Sequence, residues 1–84
     1  MAGLAVENAR SGVTFNAICP GFIDTPLLRE SVPEEGRAHL ASRHPMNRLG
    51  TPEDVAMAAM WLASDASSFV TGMLFSVDGG WTAI

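Results

Sequence analysis

The sequence predicts an α/β fold built on a βαβ unit, two parallel strands joined by a crossover that contains a helix. Three observations lead there. The run 13–19 alternates as a strand yet is apolar on both faces. A helix starting at Pro52 has no polar face after its first turn. A second strand-like run, 73–77, closes on Asp78-Gly79-Gly80. Strands apolar on both sides belong to parallel sheets covered by helices on each face. A strand, helix, strand crossover sets its two strands parallel in one sheet and is almost always right-handed.

Each element follows from local chemistry. Residues 2–11 are rich in helix formers and stop at Gly12, the residue suited to a left-handed cap. So short a helix is marginal alone, and it reads as the end of a longer one. In 13–19, Val13, Phe15, Ala17 and Cys19 share one face and Thr14, Asn16 and Ile18 the other, with Cys19 expected to be a buried small hydrophobe. Pro20-Gly21 ends the strand. The stretch 26–48 holds Pro26, Pro33, Pro45, Gly36 and most of the charge, with a short helix expected at 34–43. Connections of this length are usually lids or binding loops.

Thr51-Pro52-Glu53-Asp54 is the clearest helix start: a Thr N-cap, proline at the first helical position and acids near the positive end of the dipole. Every residue from Val55 to Ala63 is apolar. A helix apolar all round is buried on all sides, and 84 residues offer a sheet for one side only. The stripe Met57, Met60, Trp61 therefore reads as core or interface. Residues 64–69 form a capped turn and Thr71-Gly72 another, leading into 73–77.

Composition narrows the function. A folded chain of 84 residues buries about 60–65% of its unfolded surface, yet 48% of these residues are hydrophobic, which suggests missing partners for apolar faces. Net charge is −4 and the five basic residues are all arginines, which excludes the basic stripe of a nucleic-acid binder. The single Cys19 forms no internal disulfide, and no His/Cys cluster has metal-ligand spacing. With neither a signal peptide nor an apolar run of about 18 residues, the expectation is a cytoplasmic protein without a membrane segment. His39 and His44 read as solvated or lid residues. Arg48 reads as a structural ion pair with Glu53 or Asp54, or else as a substrate contact.

Four ordered segments carry a resemblance: Gly12-Val13-x-x-Asn16-x-x-x-Pro20-Gly21-x-x-x-Thr25, then Pro45-x-x-Arg48-x-Gly50-x-Pro52-Glu53-Asp54-Val55-Ala56, then Leu62-x-Ser64-Asp65, then Thr71-Gly72 leading to Val77-Asp78-Gly79-Gly80. Together they span nearly the whole chain, which resembles the C-terminal part of a classical short-chain dehydrogenase/reductase. The resemblance implies that 1–84 is the C-terminal segment of one Rossmann-like domain, a doubly wound parallel sheet, with 26–48 as the substrate lid. It implies NAD or NADP as cofactor, an alcohol or carbonyl as substrate, and a homo-oligomer. Pro20, Gly21, Phe22 and Ile23 would pass beside the nicotinamide ring, the Ile23 backbone pairing with the carboxamide. The Thr25 hydroxyl would contact the carboxamide or pyrophosphate. Read without the family, Pro20-Gly21 is a strand-ending turn and Thr25 an N-cap before Pro26.

The reacting groups of the family are missing: there is no tyrosine or lysine for its Tyr-x-x-x-Lys pair and no Gly-rich pyrophosphate turn. No catalytic residue is assigned and the isolated chain is expected to be inactive. The strings 16–21 and 25–27 are similar to hydroxybutyrate dehydrogenases, a lean toward hydroxy acids or hydroxyacyl compounds. Two other readings stand beside this one. The chain is a non-enzymatic module or remnant that docks on a related full-length subunit, or it is an independent ligand-binding domain. A continuous upstream frame encoding the Gly-rich turn and Tyr-x-x-x-Lys would separate the first reading from these.

Overall fold

A computed structural model describes residues 1–84. Helix α1 (Ala2–Asn8) tightens into a 3-10 turn at Ala9–Ser11 and ends on Gly12 in the left-handed region, φ 77°. Strand β1 (Ala17–Pro20) pairs in parallel with β2 (Leu74–Val77), Ala17 opposite Leu74 and Pro20 opposite Val77. Between them lie α2 (Pro26–Ser31), α3 (Glu34–Arg43) and α4 (Pro52–Leu62). The expected βαβ unit and parallel pairing are present.

The first strand is shorter than its alternation predicts. Residues 13–16 lie outside the ladder, where side chains supply most of the bonding beside one backbone bond, from the Gly72 amide to the Phe15 carbonyl at 2.7 Å. The Phe15 amide donates to Thr71 Oγ1 at 3.1 Å. Asn16 Nδ2 donates to the Val70 carbonyl at 3.0 Å while its Oδ1 accepts from the Met73 amide at 3.0 Å. Asn16 thus stands in for a peptide unit where the opposite chain turns at Gly72, φ 75°. The Ala17 and Gly21 amides donate to Met73 and Val77. Alternate residues of a strand face opposite edges, so Pro20 turns its nitrogen to the free edge and its missing N–H costs this ladder nothing.

Helix α4 starts as expected. Thr51 Oγ1 accepts from the Asp54 amide at 3.2 Å, and the Asp54 carboxylate accepts from the Thr51 amide at 2.8 Å. This reciprocal capping box satisfies two orphan donors. Ala58 is buried and Trp61 meets Phe75 edge-on at 5.8 Å, which seats one face of the helix on the sheet. Its other face is bare: Met57 and Met60 are 64% and 65% exposed. At the far end Ser67 is buried and its hydroxyl donates to the Leu62 and Ser64 carbonyls.

Only four residues are buried, and the accessible surface is 5976 Å², against about 4,800 Å² for a compact monomer of this mass. The radius of gyration, 15.5 Å, likewise exceeds the ~12 Å expected for this length. One sheet face and both strand edges are open. Cys19 is therefore exposed, contrary to the expectation of burial, because no layer of this chain covers its side of the sheet. No helix is long and apolar enough to cross a membrane.

Candidate functional site

The turn after β1 is held from both sides. The Phe22 carbonyl accepts from the Gly50 amide at 2.9 Å, and the Asp24 amide donates to the Gly50 carbonyl at 2.8 Å. This is a parallel bridge between Ile23 and Gly50. In such a bridge the central residue turns its own N–H and C=O to the opposite side. The Ile23 amide and carbonyl make no hydrogen bond within the chain. A donor and an acceptor on one residue, both free and both held in place, form the pair that a primary carboxamide matches.

Gly21 permits a close approach, but the neighbours it admits are internal. A Cβ there would stand 2.8 Å from His44 Nε2 and 3.0 Å from Asp78 Cα. Phe22 lies 5.4 Å from the Trp81 ring. Thr25 is the N-cap of α2, its Oγ1 accepting from the Leu28 amide at 3.2 Å. That bond uses an acceptor lone pair and leaves the hydroxyl proton available. Pro20, Gly21, Phe22, Ile23 and Thr25 therefore form one continuous arc at the C-terminal end of β1. In open α/β sheets, ligands bind outside the carboxyl ends of the strands.

The connection 26–48 is mostly helical. Helix α3 spans the expected 34–43, and α2 is an addition that the mixed composition of 26–31 hides. Neither helix buries a residue. Arg29 pairs with Asp24 at 2.8 Å and holds that carboxyl below its ordinary range. Arg48 takes the structural role: its Nη1 lies 3.0 Å from Asp54 Oδ2. With the Thr51 amide and hydroxyl, Arg48 lowers the Asp54 pKa to about 2. His39 is exposed, as expected, but His44 is not solvated. It is 2% exposed, wedged between the turn and Trp81. Little marks it in the sequence: besides the Leu40 carbonyl one turn back, its partners Phe22 and Trp81 lie 22 and 37 positions away. A cavity of about 280 Å³ beside it is lined by His44, Arg48 and Asp54, side chains already engaged with chain partners. Asp78 ends β2 with its carboxylate accepting from the Gly80 and Thr82 amides and, at 2.8 Å, the Thr82 hydroxyl, which holds its pKa down.

A family model described as enoyl-(acyl carrier protein) reductase matches residues 1–82. The chain belongs to the short-chain dehydrogenase/reductase family. Among curated relatives of this chain, a cis-4-hydroxycyclohexanecarboxylate dehydrogenase of Sinomonas cyclohexanicum is 51% identical over 80 residues, covering 95% of this chain and 32% of its own. A 3-oxoacyl-(acyl-carrier-protein) reductase of Thermotoga maritima is 47% identical over 76 residues, covering 90% and 30%. The chain thus spans about a third of the length of the relatives it matches. Among solved structures, ElxO with NADP bound superposes with a TM-score of 0.90 at 38% identity, over 99% of this chain and 34% of that one. A ligand-free aldohexose dehydrogenase of Thermoplasma acidophilum gives 0.90 at 36% identity, over 99% and 36%. The Rossmann-like assignment of the sheet rests on these likenesses.

Proposed function

We propose that these 84 residues are the C-terminal segment of a single Rossmann-like domain in an NAD(P)-dependent oxidoreductase that interconverts an alcohol and a carbonyl. The observation that carries this reading is the free, fixed backbone pair of Ile23. Its N–H would donate to a carboxamide oxygen and its C=O would accept from the carboxamide nitrogen, orienting the ring. The Thr25 hydroxyl caps α2 with its oxygen and would donate its proton toward the same group or the adjoining pyrophosphate. The nicotinamide supplies hydride chemistry; the chain's part is to present one ring face to the substrate. The residues fit the nicotinamide end alone, since no tyrosine, lysine or Gly-rich turn is present. The acid/base pair and pyrophosphate site belong to the remainder of such an enzyme.

Residues 26–48 would serve as the substrate lid: two helices that bury nothing, anchored at the turn by the Asp24–Arg29 pair. A hydroxy acid or hydroxyacyl substrate is the favoured class. The names of two relatives, a hydroxycyclohexanecarboxylate dehydrogenase and a 3-oxoacyl reductase, support it. The bare faces of α4 and β2 suit a homo-oligomer, and the composition suits the cytoplasm.

The test is a graft. The 84 residues replace the matched segment of the Thermotoga maritima reductase, and nucleotide-dependent turnover is assayed. Turnover is expected. A folded graft with the parent's oligomeric mass and no nucleotide-dependent activity would refute the assignment.

A further inference from the structure

We propose that His44 is a positioning residue: in its neutral form with the proton on Nδ1, it clamps the Phe22 amide and thereby fixes the turn 20–23 to the end of α3. Of the four buried residues, His44 is the largest; the others are Ala5, Ala58 and Ser67. Both ring nitrogens are engaged. Nδ1 lies 2.8 Å from the Leu40 carbonyl oxygen, which can only accept, so Nδ1 carries the proton. Nε2 lies 3.3 Å from the Phe22 nitrogen, whose N–H can only donate, so Nε2 presents its lone pair. The two partners together select one tautomer.

Three separate segments hold the ring. Trp81 packs edge-on at 4.7 Å, and the Phe22 ring stands nearly perpendicular at 6.2 Å. The Arg43 guanidinium closes the outer side of Trp81 at 5.4 Å. On the inner side Gly21 leaves the space into which Nε2 fits. The ring cannot turn about χ2 without surrendering both hydrogen bonds.

The consequence is geometric. His44 holds the peptide before Phe22 through its amide and Gly50 holds the peptide after it through its carbonyl, so the unit that carries the next N–H is fixed together with its predecessor. That next residue is Ile23, whose free backbone pair is the feature read above as the carboxamide partner. The functional half of this inference rests on that reading. His44 also makes the turn answer to α3: a shift of the helix end moves Leu40 and His44, and the Phe22 amide with them.

The test uses the whole 84-residue chain labelled with ¹⁵N. Long-range ¹H–¹⁵N spectra of the ring should show His44 with a protonated Nδ1 and a bare Nε2, with exposed His39 as internal reference. His44→Leu removes the acceptor and should speed exchange of the Phe22 amide roughly tenfold. His44→Gln keeps an acceptor oxygen at the reach of Nε2 and should restore exchange to within about threefold of the parent chain. A ring protonated on Nε2, or equal loss of protection in the Gln and Leu variants, would overturn the proposal. Neither measurement needs a nucleotide. If both hold while the folded graft is inactive, the clamp stands and the nicotinamide reading falls; an active graft with the wrong tautomer reverses that outcome.

Discussion

Substituting Gly21 by alanine puts the packing of the turn to a quantitative test. The residue does not need glycine for a positive φ, since the left-handed glycines are Gly12, Gly72, Gly79 and Gly80. What it lacks is room. The new methyl would meet His44 Nε2 at 2.8 Å, Asp78 Cα at 3.0 Å and Asp78 Cβ at 3.1 Å. Two of these atoms move only with the end of β2. The third moves only if His44 gives up the Phe22 amide. Overpacking of this kind costs about 1–3 kcal/mol, and the lost hydrogen bond about 1 kcal/mol. The expected destabilisation is therefore roughly 2–3 kcal/mol, the two effects overlapping. Gly3→Ala is the matched control. It sits in α1 with nothing within 4 Å of the added carbon, so it should gain about 0.5–1 kcal/mol. Urea unfolding followed by far-ultraviolet dichroism, with tryptophan fluorescence in a Trp61→Phe background reporting on Trp81 and the His44 pocket, compares the two. Gly21→Ala with an unchanged midpoint and an unmoved Phe22 amide resonance would show that the turn does not pack against His44 as described.

Other expectations bear on separate links. Asp54 should titrate near pH 2 by carboxyl ¹³C shift. Because its folded pKa is depressed, its contribution to α4 is present above the unfolded value of about 3.9 and disappears as pH falls through the folded one; Arg48→Met should raise the midpoint, and an unchanged midpoint would contradict the ion pair. The purified chain should show no NAD(P)-linked oxidation or reduction above background, and hydride transfer by material of verified mass would contradict the missing acid/base pair. Met60→Glu, on the bare face of α4, should weaken assembly of the graft in sedimentation experiments, and the free chain should self-associate; a well-folded monomer at high concentration would count against the α4 and β2 contact. Amides of α2 and α3 should exchange faster than those of β1, and equal protection would argue against a mobile lid.

What the sequence makes legible is what punctuation controls. Thr51-Pro52 and the acids after it define α4 because caps and proline act within one turn. Gly12 and Gly79-Gly80 mark left-handed positions for the same reason. Thr25-Pro26 carries the same start signal as Thr51-Pro52, yet α2 is only six residues long and has no apolar periodicity to extend the signal. The strand at 13–19 is overextended because alternation records which way side chains point, not whether the backbone pairs. Only the fold reveals that Asn16 bonds Val70 and Met73 in place of a peptide. His44 is least legible of all. The arc Pro20 to Thr25 is readable as a turn with a cap, whereas its orientation depends on Gly50, His44 and Trp81, remote in sequence.

The Asn16 clamp also sets how this protein should age. Slow hydrolysis turns an asparagine carboxamide into a carboxylate, and at this position the change is not conservative. Oδ1 would still accept from Met73, but the nitrogen that now donates to the Val70 carbonyl at 3.0 Å would become an anionic oxygen facing another oxygen. One lost NH₂ would replace an attraction with a repulsion at the point where the two strands meet. Stored material should therefore open first at 13–16 and 70–73, while the caps of α4 stay intact.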